Sequence, residues 1–116
     1  MRCYYARAIS LYKTPQSARD ISTLTAMGFD VVDPDTPEHS AGYDSRGMDY
    51  FVDLVRSCDV LAFRATPDGR IPAGVAKEIR TAEQRGYPVV ELPGGFERRT
   101  MSVDETREYL RDVGYR

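Results

Sequence analysis

Glu78 is the residue of this chain best placed to do chemistry. It lies in the stretch from Ser57 to Leu92, SCDVLAFRATPDGRIPAGVAKEIRTAEQRGYPVVEL. A carboxylate at that point can serve as a nucleophile or a base, and no other residue type competes for the role. The single His39 falls in a turn-rich segment, Cys3 and Cys58 fall near the amino ends of their strands, and no activated serine motif is present. One histidine and two cysteines also give no basis for a metal cluster, and nothing in the chain asks for a cofactor.

The elements around Glu78 must place it. The apolar run Val60 to Phe63 predicts a strand, Pro67 to Pro72 carries chain breakers, Gly74 to Arg85 carries helix formers, and Val89 to Leu92 predicts a second strand. Two strands joined by a helix in so short a span form a parallel βαβ unit. Upstream, Arg2 to Ile9 predicts strand one. Thr14 and Pro15 predict a helix start, with a hydroxyl cap and a proline at the first helical position. That helix runs to about Met27, with Ile21 and Leu24 inward and Gly28 at its stop. Phe29 to Val32 is strand two.

Asp33 to Arg46, DPDTPEHSAGYDSR, predicts a loop of about 14 residues, from which Tyr43, Asp44 and Arg46 are in reach of a ligand. Gly47 to Arg56 predicts a helix with the apolar stripe Met48, Phe51, Val52 and Val55, and with Asp49 and Asp53 sharing its polar face. After a break at Pro93-Gly94-Gly95, the capping box Ser102 and Glu105 opens a helix over Val103 to Val113, ended by Gly114. The resulting order predicts one α/β domain over residues 1–116. It is a flavodoxin-like three-layer sandwich of about four parallel strands in order 2-1-3-4, with its switch point between strands one and three.

Ligands of such sheets sit at the carboxyl ends of the strands, so the topology selects the residues that meet. Strand one supplies Tyr4, Tyr5, Arg7 and the Ile9-Ser10 turn. Strand three supplies Arg64 to Arg70, and the following helix supplies Gly74 and Glu78. Tyr4 and Tyr5 point to opposite faces, so one meets ligand and the other is core. Gly74 allows close approach of backbone to ligand. The positive helix end is expected to keep Glu78 ionised. Arg7, Arg64 and Arg70 suit an anion, with Arg64, in a strand-end sequence, the strongest of the three. Asp59, at the opposite end, reads as a structural cap.

These motifs support a family resemblance. Tyr4 near the N-terminus, Cys58-Asp59 opening an apolar strand, the run Gly74 to Ile79, and Gly86-Tyr87-Pro88-Val89 resemble the nucleoside 2-deoxyribosyltransferase-like superfamily. That group includes the 2′-deoxynucleoside 5′-phosphate N-hydrolases and many small phage and prokaryotic proteins. The resemblance implies a flavodoxin-like sheet, a homodimer, and a glutamate nucleophile at the anomeric carbon of a nucleoside or nucleotide. On this chain the nucleophile falls on Glu78 and the tyrosine that positions it on Tyr4. A glycosyl-enzyme ester would form and be resolved by water or a second base. The proton for the leaving base would come from Asp44, Asp49 or Asp53, and the arginines would favour a 5′-phosphate.

The chain departs from that family in three places. Ala6-Arg7-Ala8-Ile9-Ser10 lacks the glycine usual after strand one, Ile71-Pro72-Ala73-Gly74 stands where many members carry an acidic residue and Gly-Thr, and an Asp common on helix two falls on Phe51. Such changes predict a rebuilt pocket or lost activity. Three rival functions follow: a non-catalytic nucleotide-binding module, a TIR-like NAD-cleaving enzyme that also uses a helix-borne glutamate, and a pure interaction subunit.

Composition narrows the partners. Sixteen Lys and Arg against 18 Asp and Glu give a net charge of −2, so no basic excess points to nucleic acid. No apolar run approaches the length of a membrane span, and MRCYYARAIS has neither the apolar core nor the cleavage pattern of a secretion signal, which predicts a cytoplasmic address. In that reducing setting Cys3 and Cys58 are expected to be free thiols, although neighbouring strands would bring them close. With 116 residues the chain has room for one core. A small molecule or a second protein is the expected partner, and exposed sheet edges favour a homodimer.

Overall fold

Short strands, the central ones buried on both faces, build the sheet. In the computed structural model, which describes residues 1–92, the strands are β1 (Arg2–Ala6), β2 (Asp30–Val32), β3 (Val60–Phe63) and β4 (Val89–Glu91). All pair in parallel, in the order β2-β1-β3-β4. The α/β architecture and flavodoxin-like strand order are those expected. The predicted helix over Val103 to Val113, its capping box, the Pro93-Gly94-Gly95 break and Gly114 lie outside the described residues.

Side-chain parity divides the core into two. Cys3, Tyr5, Val60, Ala62 and Val90 face α1 (Pro15–Ala26), where Leu24 and Ile21 meet them. Tyr4, Ala6, Leu61, Phe63 and Val89 face the other way, towards α3 (Met48–Arg56) and α4 (Ala73–Gln84), which contribute Val55, Val75, Ala76, Ile79 and Ala82. The two cysteines therefore lie in separate halves of the core, both as free thiols. Burial raises both, Cys3 to about 11. Neither has thiolate character at neutral pH.

Thr14 caps α1 as expected, accepting from the Ser17 N–H at 3.2 Å, with Pro15 at the first position. Asp59 accepts the Arg2 N–H at 2.8 Å and its own N–H donates to the Arg2 carbonyl, so it ties the amino ends of β1 and β3 together.

Two boundaries differ from expectation. Strand β1 stops at Ala6 rather than Ile9, because its partner β3 ends opposite it at Phe63. The chain then forms a 3₁₀ turn over Ile9–Leu11. The segment read as a loop is largely α2 (Pro37–Arg46). Thr36 caps it, accepting from the His39 N–H at 3.2 Å, with Pro37 at the first position and Glu38 in the first turn. The prolines and polar residues that read as loop are thus a helix start and a solvated helix face. Gly47, at φ +64 and ψ −150, separates α2 from α3 in a conformation open essentially to glycine alone.

Helices α2 and α3 pack closely at Gly42. A Cβ there would lie 2.2 Å from Tyr50 Cε2, and the Tyr50 ring is held by a 2.7 Å bond between its hydroxyl and His39 Nδ1 and by an edge contact with Phe51. Gly42→Ala is therefore expected to cost about 1–3 kcal/mol, as other overpacking changes do, and to lower Tm in a thermal melt. An unchanged Tm would mean that the ring swings away freely.

Candidate active site

Small side chains bring α4 close to the sheet at the switch point. Ala73, Ala76 and Ala82 are buried along it, and Glu78, on its second turn, comes down over β1. The Tyr4 hydroxyl donates a hydrogen bond to Glu78 Oε2. Tyr4 is 0% exposed and Glu78 5%. Oε1 has no protein hydrogen bond among the described residues.

Burial governs the protonation of this pair. Desolvation pushes Glu78 up to about 8, against the opposing pull of the Tyr4 hydrogen bond and the Arg7 charge. Burial also raises Tyr4 well above its ordinary value, and the adjacent carboxylate adds to it. The expectation that the helix end keeps Glu78 ionised is thereby corrected. The helix-end field fades within the first turn, whereas Glu78 sits on the second and is largely buried. At neutral pH the carboxyl is largely protonated.

A cavity of about 470 Å³ opens beside Glu78, within the range of small-ligand sites. The residues after β1 form one wall (Arg7, Ala8, Ile9, Tyr12), the start of α4 another (Pro72 to Val75, Lys77), and Tyr43, Met48 and Phe51 the third. The Tyr43 and Phe51 rings stack with centroids 5.2 Å apart and planes at 19°. Gly74 is in place. A Cβ there would make only an ordinary 3.6 Å contact with Met48 Sδ, so the glycine widens the wall rather than relieving a clash.

The arginines are placed differently from expectation. Arg7 is in the wall, but its guanidinium is held by protein: Nε donates to Ser17 Oγ at 2.8 Å and Nη1 to Asp33 Oδ1 at 2.9 Å. It is also sandwiched between the Tyr5 and Tyr12 rings at 4.4 and 4.7 Å. Arg64 does not line the cavity. It follows Phe63 by one residue and so falls on the α1 face, where it binds Asp20 through Nε (2.5 Å) and Nη2 (2.9 Å). Arg70 is exposed on the turn that Thr66 holds.

Other expectations need the same correction. Ser10 is exposed and does not line the cavity, while its neighbour Ile9 does, at 68% exposure. Asp49 and Asp53 belong to a separate polar groove of about 480 Å³ between α3 and α4, where Arg46 and Arg56 pair with Asp53. Asp44 lines neither. None of the three acids considered for the leaving base thus lines the Glu78 cavity: Asp49 and Asp53 lie on the polar side of α3, and Asp44 is exposed on α2.

The sequence reading missed Tyr12, Lys77 and the Arg7 partner Asp33, and gave Met48 only a place in the apolar stripe, while Phe51, read both in that stripe and at a pocket position, does line the cavity. Tyr12 and Asp33 follow the carboxyl ends of β1 and β2, so the strand-end rule applied to every strand finds them. Among the described residues no helix is long and apolar enough to cross a membrane, and no cluster of His, Cys, Asp and Glu is arranged to hold a metal ion. Comparison of the chain with protein-family models, with curated proteins and with solved structures returned no match, which leaves the cavity's own residues as the guide to function.

Proposed function

We propose that this protein cleaves or transfers at the N-glycosidic bond of a nucleotide or nucleoside, with Glu78 as nucleophile and Tyr4 as the residue that positions it. The observation that carries the reading is the buried Tyr4–Glu78 pair beside an aromatic-lined cavity at the switch point. Tyr4 occupies Oε2 and leaves Oε1 for attack on C1′. The stacked Tyr43 and Phe51 offer a platform for a planar base. Lys77, with no ion pair among the described residues, lies at the rim where a phosphate would sit.

In this mechanism Oε1 attacks C1′, the C1′–N bond breaks, and a glycosyl ester forms that water or a second base resolves. Nucleophilic attack needs the ionised form of Glu78, so kcat/KM is expected to rise with pH through about 8. Tyr4→Phe removes a hydrogen bond that lowers Glu78, so the rising limb is expected to move to higher pH. A limb that stays in place, in a variant that retains activity, would separate Tyr4 from the titrating group.

The reading is tested by incubating the protein with deoxynucleotides, ribonucleotides and NAD and assaying free base and nicotinamide by chromatography. Base release from a nucleotide supports it, and nicotinamide release alone would favour a TIR-like NAD-cleaving enzyme. A second reading, a nucleotide-binding module without catalysis, is favoured by the protonation of Glu78 at neutral pH and by the engagement of the Arg7 guanidinium within the protein. It predicts a nucleotide-dependent rise in Tm with no product.

A further inference from the structure

We infer that Tyr12 is a further catalytic residue, its hydroxyl donating to the departing base and supplying the proton that the base takes away; this rests on the N-glycosidic reading. Cleavage of an N-glycosidic bond by Glu78 requires such a donor, and the carboxylates of Asp44, Asp49 and Asp53 do not face the cavity. Tyr12 does.

Two cavity tyrosines, Tyr12 and Tyr43, have hydroxyls without a protein hydrogen bond among the described residues; Tyr43 is 38% exposed and stacked on Phe51 as the base platform, which leaves Tyr12 as the donor. Tyr4 donates to Glu78, Tyr5 to Asp20, Tyr87 to the Arg56 carbonyl, and Tyr50 is paired with His39. The Tyr12 hydroxyl has no protein hydrogen bond among the described residues, although the ring is half-buried in the wall of the Glu78 cavity. Its placement is fixed from both sides. The Tyr12 N–H donates to the Ile9 carbonyl at 3.0 Å, and the hydroxyls of Thr14 and Ser17 both donate to the Leu11 carbonyl, at 2.7 and 2.5 Å. The next residue, Lys13, takes a left-handed backbone at φ +58, rare outside glycine, and pairs with Asp35 at 2.7 Å.

The charges around Tyr12 suit a donor that becomes acidic when it is needed. Burial and then the Glu78 charge raise it, Arg7, stacked on its ring at 4.7 Å, lowers it, and the charges of Asp33 and Asp35 each raise it by less than Arg7 lowers it. When Oε1 bonds to C1′, the carboxylate becomes a neutral ester and that opposing charge disappears. The Arg7 cation remains. The electron pair of the C1′–N bond goes to the base, which takes the Tyr12 proton, and the phenolate lies against Arg7. Water then attacks C1′ and gives its proton to the phenolate, and Glu78 leaves as carboxylate. The sum is nucleotide plus water to free base plus sugar phosphate.

The test compares two leaving groups in wild type and Tyr12→Phe, a change that keeps the ring over Arg7. One substrate is a deoxynucleotide that wild type cleaves; the other is deoxyribose 5′-phosphate carrying 4-nitrophenolate at C1′, which departs without a proton. Tyr12→Phe is expected to slow the nucleotide by about 100-fold or more and to leave nitrophenolate release within a few-fold of wild type. Equal losses on both substrates, or on neither, would overturn the inference while leaving the glycosidic reading intact. Absence of cleavage by wild type would remove both. Should Tyr12→Phe fold poorly, wild-type rates across bases of graded acidity give the answer. A shallow dependence supports protonation of the leaving base and a steep one refutes it.

Discussion

Glu78→Gln is expected to abolish base release, with kcat falling by about four orders of magnitude or more, while the protein stays folded. Glutamine matches glutamate in shape and keeps an oxygen to accept from Tyr4, but it cannot form the ester. At neutral pH the wild type loses stability because its unfolded chain ionises Glu78, a loss that glutamine does not have, so Tm of Glu78→Gln there is expected to match or exceed that of wild type. Base release within about tenfold of wild type in a purified, folded Glu78→Gln sample would end the nucleophile assignment.

The same substitution has a signature in stability. Glu78 rises from 4.5 to about 8 on folding, so between those values the native state holds a proton that the unfolded chain has released. Unfolding stability therefore falls as pH rises from about 4.5 to 8 and levels off above. Melts of the wild type at pH 5 and pH 8 should show this decline, and Glu78→Gln should flatten it. Parallel profiles would mean that Glu78 is not the buried titrating group.

The second large effect concerns Asp20, on the opposite face of the sheet. Its carboxylate, 4% exposed, accepts from Arg64 Nε and Nη2, from Gln16 Nε2 at 3.0 Å, and from the fully buried Tyr5 hydroxyl at 2.5 Å. Burial alone would raise this carboxyl, but those donors outweigh it and hold it below its ordinary value. Asp20→Ala is expected to cost about 3 kcal/mol, because Arg64 and Tyr5 both lose their partner and Tyr5 cannot turn to water. For a domain of this size that lowers Tm by roughly 10–20 °C. The stabilisation has the opposite pH sense to that of Glu78: it is present above the unfolded carboxylate value and is lost on acidification. A double-mutant cycle with Arg64→Ala isolates the ion pair. A single-mutant cost within about 0.5 kcal/mol, the usual range for surface changes, would show that the network adds little.

Most of the fold was legible. Short apolar runs separated by helical patterns gave the strands within three residues at each end, and the order 2-1-3-4 followed from the connections. Among the described residues the helix misread as loop, α2, carried the same Thr-Pro signal at Thr36-Pro37 that identified α1 at Thr14-Pro15. It was masked by a polar face, which a helix packed on another helix at the rim can carry. The placement of Arg64 was also within reach. Tyr4 and Tyr5 alternate, and so do Phe63 and Arg64, so parity alone sends Arg64 to the α1 side.

By itself the sequence determined the parallel sheet, its switch point, and the presence of Tyr4 and Glu78 beside it, because those follow from local periodicity and from rules of chain connection. Tertiary structure decided the chemistry of the site. Only packing buries Glu78 and so sets its proton, turns Asp49 and Asp53 away from the cavity, binds Arg7 to Asp33, and leaves Tyr12 facing Glu78 with its hydroxyl free of protein partners among the described residues. Desolvation and pairwise charge depend on distances between residues far apart in the chain, and no local pattern encodes them.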